Sequence, residues 1–189
     1  MKHFLFVFFM LSASSLFSQE NLLLWHEHEA LTWADFRGVV PPNMPMKAMT
    51  SSGPQLQSGY KKQGQTITLQ FEVTTTFSPN ESWVVDDARV RSILLPHEQL
   101  HFDVEELFSR KLRKALQEYQ YTANFLNEYT NVYYQLTAER DAYQAQYDLE
   151  TNHSKIEEKQ IEWNQKIRED LASFSKYTQL TFEVEFTLQ

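Results

Sequence analysis

The residues with the clearest chemical capacity are His97-Glu98-Gln99-Leu100-His101. Histidines at i and i+4 of a helix lie one above the other, so both imidazoles reach one ion at about 2.0–2.1 Å. This is the H-E-x-x-H spacing of zinc-dependent proteases. The glutamate one position on points beside the metal, where it can take a proton from the metal-bound water. Zinc lowers the pKa of that water to about 7, which makes a nucleophile available at neutral pH. With six histidines in 189 residues, chance supplies roughly 0.02 such patterns per chain of this composition, so coincidence is a poor account of it. The pattern makes His97 and His101 candidate ligands of Zn2+ and Glu98 the candidate catalytic base.

A catalytic zinc takes a third protein ligand and keeps one position for water. The sequence offers several: His153, Asp148, Glu150 and Glu157 around the end of a second helix, Glu105 one turn past His101, and the N-terminal pair His26 and His28. Glu105 shares a helix face with the two histidines, which places it poorly for completing a tetrahedron. His26 and His28 would share one face of a strand. The stretch from Tyr147 to Ser154 crowds titratable groups at a helix end, and a chain folding back antiparallel would bring that end to the motif.

These residues need particular elements to position them. Leu94, Leu95, Leu100, Val104, Leu107, Phe108, Leu112 and Leu116 recur at helical spacing and predict a core helix over residues 93 to about 119. Pro96 is tolerated only in the first turn, so the helix should start between Ser92 and Leu95. A second helix is expected from about residue 122 to 150, with Leu126, Tyr129, Tyr133, Leu136, Arg140, Tyr143 and Tyr147 on one face. A third is expected over residues 156–174. Period-two alternation marks strands over residues 66–77 and 180–186, which can pair with each other. Residues 22–38 read as a short strand and a turn. Residues 39–64 hold most of the prolines and the remaining glycines, and read as loop with one strand. The class expected is α+β: a small antiparallel sheet packed against the metal-binding helix and further helices.

Composition narrows the partners. Lys2 precedes an apolar run over residues 4–11, and small residues follow with a cleavage point after Ser18, so residues 1–18 read as a secretory signal peptide. Residues 19–189 then form a single domain, exported to the periplasm or the extracellular space. The net charge of -8 becomes -9 when Lys2 is removed, since 16 basic residues face 25 acidic ones. Nucleic acid and anionic membrane surfaces are therefore poor partners. No later run is long enough to span a bilayer. With no cysteine there is no disulfide, and the core must hold the fold by itself.

Three stretches carry a resemblance: Leu31-Thr32-Trp33-Ala34-Asp35-Phe36-Arg37-Gly38, the seven residues from His97 to Asp103, and Tyr147-Asp148-Leu149-Glu150-Thr151-Asn152-His153. Together they resemble a bacterial family of exported, otherwise uncharacterised proteins described as zinc-dependent proteases. Its members carry Leu-Thr-Trp-x-Asp-Phe-x-Gly, His-Glu-Gln-x-His-Phe-Asp and Tyr-Asp-x-x-Thr-x-His-Gly. The resemblance implies His97, His101 and His153 as ligands and Glu98 as base, with Ser154 standing where the family has glycine. Asp148 and Asp103 are then read as groups orienting the imidazoles, and Tyr147 as either an oxyanion donor or a core residue. The expected activity is hydrolysis of amide bonds in a peptide or protein, held by strand addition along residues 66–77. The alternatives are an exported binding module with a structural zinc, and a hydrolase of non-peptide amides or esters in the cell envelope.

Overall fold

The computed structural model describes residues 7–10, 22–27 and 30–188. Its order is β1 (Val7–Met10), β2 (Leu23–Leu24), β3 (Ala48–Met49), β4 (Ser52–Gln63), β5 (Thr66–Phe77), β6 (Trp83–Val84), α1 (Leu94–Glu118), α2 (Phe125–Thr151), α3 (Glu157–Ser173) and β7 (Thr181–Thr187). The class is α+β, with antiparallel sheets packed on helices. His28 and most of the segment read as a signal peptide lie outside the described residues; of that segment Val7–Met10 is described, and it pairs with β4.

β5 is the centre of the main sheet. β4 pairs along its whole length on one side, while β7 and then β2 share the other. The strand over residues 66–77 is therefore interior, which corrects the expectation that it offers an edge to a peptide. The β4–β5 hairpin closes through Gly64 and Gln65, and Gly64 holds a φ of 63° that costs a glycine little. β4 itself is longer than the loop-rich composition of residues 39–64 suggests. Pro54 lies at the N-terminal end of β4, where the described residues supply no second neighbour, and an edge tolerates a missing N–H.

Alternation along β5 buries Ile67, Leu69, Phe71 and Val73 against Leu112 and Leu116 of α1 and Phe125 and Tyr129 of α2. Phe182, Val184 and Phe186 of β7 extend that layer. On α2 the anchor is Phe125; Leu126, expected on the buried face, is exposed.

α1 takes part in all three hydrophobic clusters. Its first half packs Leu94 and Phe102 with Leu31, Phe36 and Phe77, while Leu100, Val104, Leu107 and Phe108 meet Tyr147, Trp163 and Ile167 of α2 and α3. Pro96 is its third residue, where a missing N–H breaks no helical bond, and the ladder begins with His97 N–H donating to the Ile93 carbonyl.

A helix covered on two sides also buries polar residues. Glu106 accepts from Arg110 Nε (2.8 Å), from Arg113 Nη1 (3.0 Å) and from the Thr75 hydroxyl of β5 (2.6 Å). Arg113, with no exposed surface, also donates to the carbonyls of Val73 and Tyr177. Among the described residues Glu106 is the only carboxylate that pairs with Arg110 and Arg113, so removing it would leave two buried guanidinium ions without a counter-charge. Glu106→Gln is expected to lower unfolding stability by about 3–5 kcal/mol, measured by urea denaturation; a change within 1 kcal/mol, roughly the scale of a surface pair, would refute this account.

Candidate metal centre

His97 and His101 lie on consecutive turns of α1, on the side that α2 and α3 cover. Their rings meet edge to face with centroids 4.8 Å apart. Tyr147 of α2 stacks on His97 at 4.7 Å and stands edge-on to His101 at 4.9 Å.

Each ring is oriented through Nδ1 by a glutamine. His97 Nδ1 lies 3.1 Å from Oε1 of Gln160 on α3, and His101 Nδ1 lies 2.6 Å from Oε1 of Gln144 on α2. The amide orientations follow from their other bonds: Gln160 Nε2 donates to Asn164, and Gln144 Nε2 donates to the His101 carbonyl and to Glu105. An amide oxygen only accepts, so each Nδ1 carries a hydrogen and a neutral ring presents the Nε2 lone pair.

Those lone pairs converge with a carboxylate. His97 Nε2 and His101 Nε2 are 3.3 Å apart, and Asp148 Oδ1 lies 3.1 Å from the first and 3.2 Å from the second. Three acceptor atoms this close require a cation among them. Ligand atoms around a tetrahedral ion with bonds of about 2.0–2.1 Å stand roughly 3.3 Å apart, so the donor set fits a zinc-sized ion. His97, His101 and Asp148 form the one cluster among the described residues able to hold a metal ion.

The end of α2 places Asp148. Asn152, His153 and Ser154 follow one another with φ of 47°, 50° and 67°. Left-handed backbone costs an L-residue about 1–2 kcal/mol, and such a run persists only where its surroundings hold it. Here His153 N–H donates to the Asp148 carbonyl, while Lys155 and Ile156 N–H both donate to the Thr151 carbonyl. The turn brings His153 Nδ1 to 3.4 Å from Asp148 Oδ1 and leaves the imidazole 59% exposed. His153, third ligand by resemblance, thus neighbours Asp148 and lies outside the three-residue cluster.

Glu98 leaves α1 on another side and is buried. Its Oε2 accepts from the Thr50 hydroxyl at 2.8 Å. The other candidates are placed elsewhere. Asp103 does not orient an imidazole: its Oδ1 accepts from Trp25 Nε1 (2.8 Å) and Gln99 Nε2 (2.9 Å). Gln99 Oε1 in turn accepts from Leu31 N–H, so this network fastens Trp25 and Leu31 to α1. Glu105 pairs with Arg140 and supports Gln144. Glu150 accepts from Trp163 Nε1, Glu157 is exposed at the start of α3, and His26 lies in a short 3-10 turn rather than a strand. The Tyr147 hydroxyl donates to Gln160 Oε1 at 2.8 Å, and burial holds its pKa well above the usual phenol range. That geometry supports packing and orientation over an oxyanion contact.

Gly38 ends the first motif for a steric reason. Its N–H donates to the Ser82 carbonyl, and a Cβ there would stand 2.8 Å from Ser82 O and 2.9 Å from Asn80 O. Sequence reading missed Gln144, Gln160 and Thr50. The one available signal was that Gln144 lies a turn before Asp148 on the same face of α2.

Without metal, the Asp148 carboxylate favours the protonated form of His101. Burial works to lower the His101 pKa, but the Asp148 hydrogen bond and the charges of Glu98 and Asp148 outweigh it and raise the pKa above 6.5. Burial works to raise the Asp148 pKa, and its bonds to His101 and His97 outweigh that and depress it. The His101 contribution to stability is complete below pH 6.5 and is lost as pH rises through the raised pKa; the Asp148 contribution is present above pH 3.8 and lost in acid. The metal-free protein is expected to lose thermal stability as pH rises past 6.5, whereas the zinc-loaded protein gains it, because ligation needs neutral imidazoles. Parallel melting curves with and without chelator check this, and identical pH trends would refute it. Gln160→Leu, which frees the His97 tautomer, should weaken zinc affinity about 10- to 100-fold by competition with a chromogenic chelator; unchanged affinity would count against this orienting role.

The chain matches no protein-family model, no curated protein and no solved structure, so the reading of this centre rests on its own distances and donors.

Proposed function

We propose that the chain is an exported zinc-dependent hydrolase that cleaves amide bonds, with peptides or proteins as substrates. The observation that carries this reading is the triangle of His97 Nε2, His101 Nε2 and Asp148 Oδ1, set beside a buried Glu98. Three protein donors leave a coordination position for water or substrate, as catalytic zinc sites do and closed structural sites do not. Two imidazoles and a carboxylate also suit ferrous iron, and the buried carboxylate next in sequence to His97 favours the hydrolytic use. Zinc, when bound, supplies Lewis acidity that polarises a carbonyl and acidifies water.

The chain's own residues do the rest. His97 and His101 are held as Nε2 donors by Gln160 and Gln144. Glu98 takes a proton from the attacking water and passes it to the leaving nitrogen. Export is supported by the apolar segment after Lys2; among the described residues no helix is long and apolar enough to cross a membrane.

A second arrangement of the same site is favoured by one observation: His97 Nε2, His101 Nε2 and His153 Nδ1 all lie 3.1–3.4 Å from the single atom Asp148 Oδ1. A three-histidine set, with Asp148 orienting it, agrees with the resemblance. His153→Ala and Asp148→Ala separate the two: whichever is the direct ligand loses more than the 10- to 100-fold typical of an outer partner.

Function is tested by Glu98→Gln, which nearly preserves the side chain's shape but cannot act as a base. The purified wild type and the variant should both hold close to one zinc per chain, while a peptide-library digest shows hydrolysis reduced by about 10²- to 10⁴-fold in the variant. Equal cleavage by the metal-loaded variant would overturn Glu98 as the base. Zinc retained by both with no hydrolysis by either would favour the binding module.

A further inference from the structure

We infer that Thr50 is the residue that positions Glu98 for proton transfer, an inference that rests on the hydrolase reading above. Thr50 lies between β3 and β4, outside all three motifs that carry the resemblance. Its Oγ1 is 2.8 Å from Glu98 Oε2 and 3.1 Å from the Glu98 carbonyl oxygen. Both partners only accept, so the single hydroxyl proton is directed at the carboxylate and the main chain of one residue. The threonine thereby ties the glutamate side chain back onto its own backbone.

The arrangement matters because Glu98 is only 4% exposed. Water contributes little to orienting its carboxylate, and a hydrogen bond to an ionised oxygen is among the stronger neutral-to-charged contacts. Among the described residues no other side-chain hydrogen bond reaches this carboxylate, so Oε2 is occupied and Oε1 is left to accept. Thr50 is itself held from both sides. Met49 pairs with Trp83, Ser51 N–H donates to the Ser82 hydroxyl at 2.9 Å, and Ser78 N–H donates to the Ser51 carbonyl at 2.8 Å. With the backbone fixed, the stiff χ1 of a β-branched residue fixes the hydroxyl direction. The base is thus aimed by the sheet side of the molecule, while the metal donors are aimed by α2 and α3.

Acetohydroxamate titrated calorimetrically against the zinc-loaded chain reads the carboxylate without requiring a known substrate. On binding, its O–H proton would pass to the Glu98 carboxylate, and the hydroxamate anion so formed would be a ligand for zinc held by His97, His101 and Asp148. Thr50→Val, which keeps the shape and removes the hydroxyl, is expected to keep the zinc and weaken acetohydroxamate about 10-fold. Thr50→Ser should remain within about 2-fold of wild type, and Thr50→Ala, which tests the same loss without a second methyl, should follow Thr50→Val. In a Glu98→Gln background, Thr50→Val should add nothing further, because the two act as one unit. Wild-type affinity in a zinc-loaded Thr50→Val protein, or full additivity with Glu98→Gln, would overturn the assignment and leave the hydrolase reading standing. A wild-type chain that takes up no metal would overturn both.

Discussion

The burial of α1 on two sides is the constraint from which the rest of the structure follows. Its apolar residues enter every hydrophobic cluster, and no simple amphipathic stripe separates a wet face from a dry one. Each buried polar side chain on it must then find a partner inside the protein, because an unpaired buried polar group costs about 1–3 kcal/mol or more. Glu106 and Arg113 meet that demand with charge, Glu98 with Thr50, and His97 with Gln160. The candidate centre and the structural ion cluster are two answers to one packing problem. They differ in that the Glu106 cluster is internally complete, whereas the histidine and aspartate acceptors converge on a place that needs a cation.

That convergence explains why a strained helix end is retained. Asp148 must project from the last turn of α2 toward α1, and the chain must then turn sharply enough to bring α3 back with Gln160 beneath His97. Three left-handed residues accomplish this within the span from Thr151 to Ile156. Ser154 takes part although it lacks glycine's freedom, and it is buried, so packing helps hold the conformation. The turn serves two elements of the centre at once: the carboxylate before it and the glutamine after it.

Much of this was legible in the sequence, for identifiable reasons. The core helix, its start near Pro96 and the pairing of the final strand with β5 follow from periodicity and proline chemistry, which are local. That His97 and His101 face one another as candidate ligands follows from the i, i+4 spacing for the same reason. What escaped depends on contacts across the fold. Gln144 and Gln160 look like ordinary helix-surface residues until a histidine from another helix stands against them, and Thr50 precedes its partner by 48 positions. β4 was obscured because Gly53, Pro54 and Gly59 read as breakers, yet Gly53 and Pro54 lie where the described residues supply no second neighbour, and Gly59 is paired on both sides, with Phe8 of β1 and Gln70 of β5. Asp148 and His153 could not be told apart in the sequence because one lies in the last turn of α2 and the other in the turn after it, which brings the two to 3.4 Å from each other.

The two halves of the proposed chemistry are carried by different parts of the molecule. His97 and Glu98 are adjacent in sequence but leave α1 about 100° apart, as neighbours on any helix do. One is consequently clamped by α2 and α3, and the other by the short link before β4. The second support is itself braced: Gly38 lets residues 31–38 lie against the Ser82 turn, and that turn holds Ser51 next to Thr50. This gives a physical role to the Leu-Thr-Trp-x-Asp-Phe-x-Gly stretch, which contributes no ligand and no base. It buries Leu31 and Phe36 beside the first turns of α1 and fixes the surface from which Thr50 reaches the glutamate. A motif far from the H-E-x-x-H helix in sequence is thereby tied to it, because it braces the link that reaches the Glu98 face of that helix.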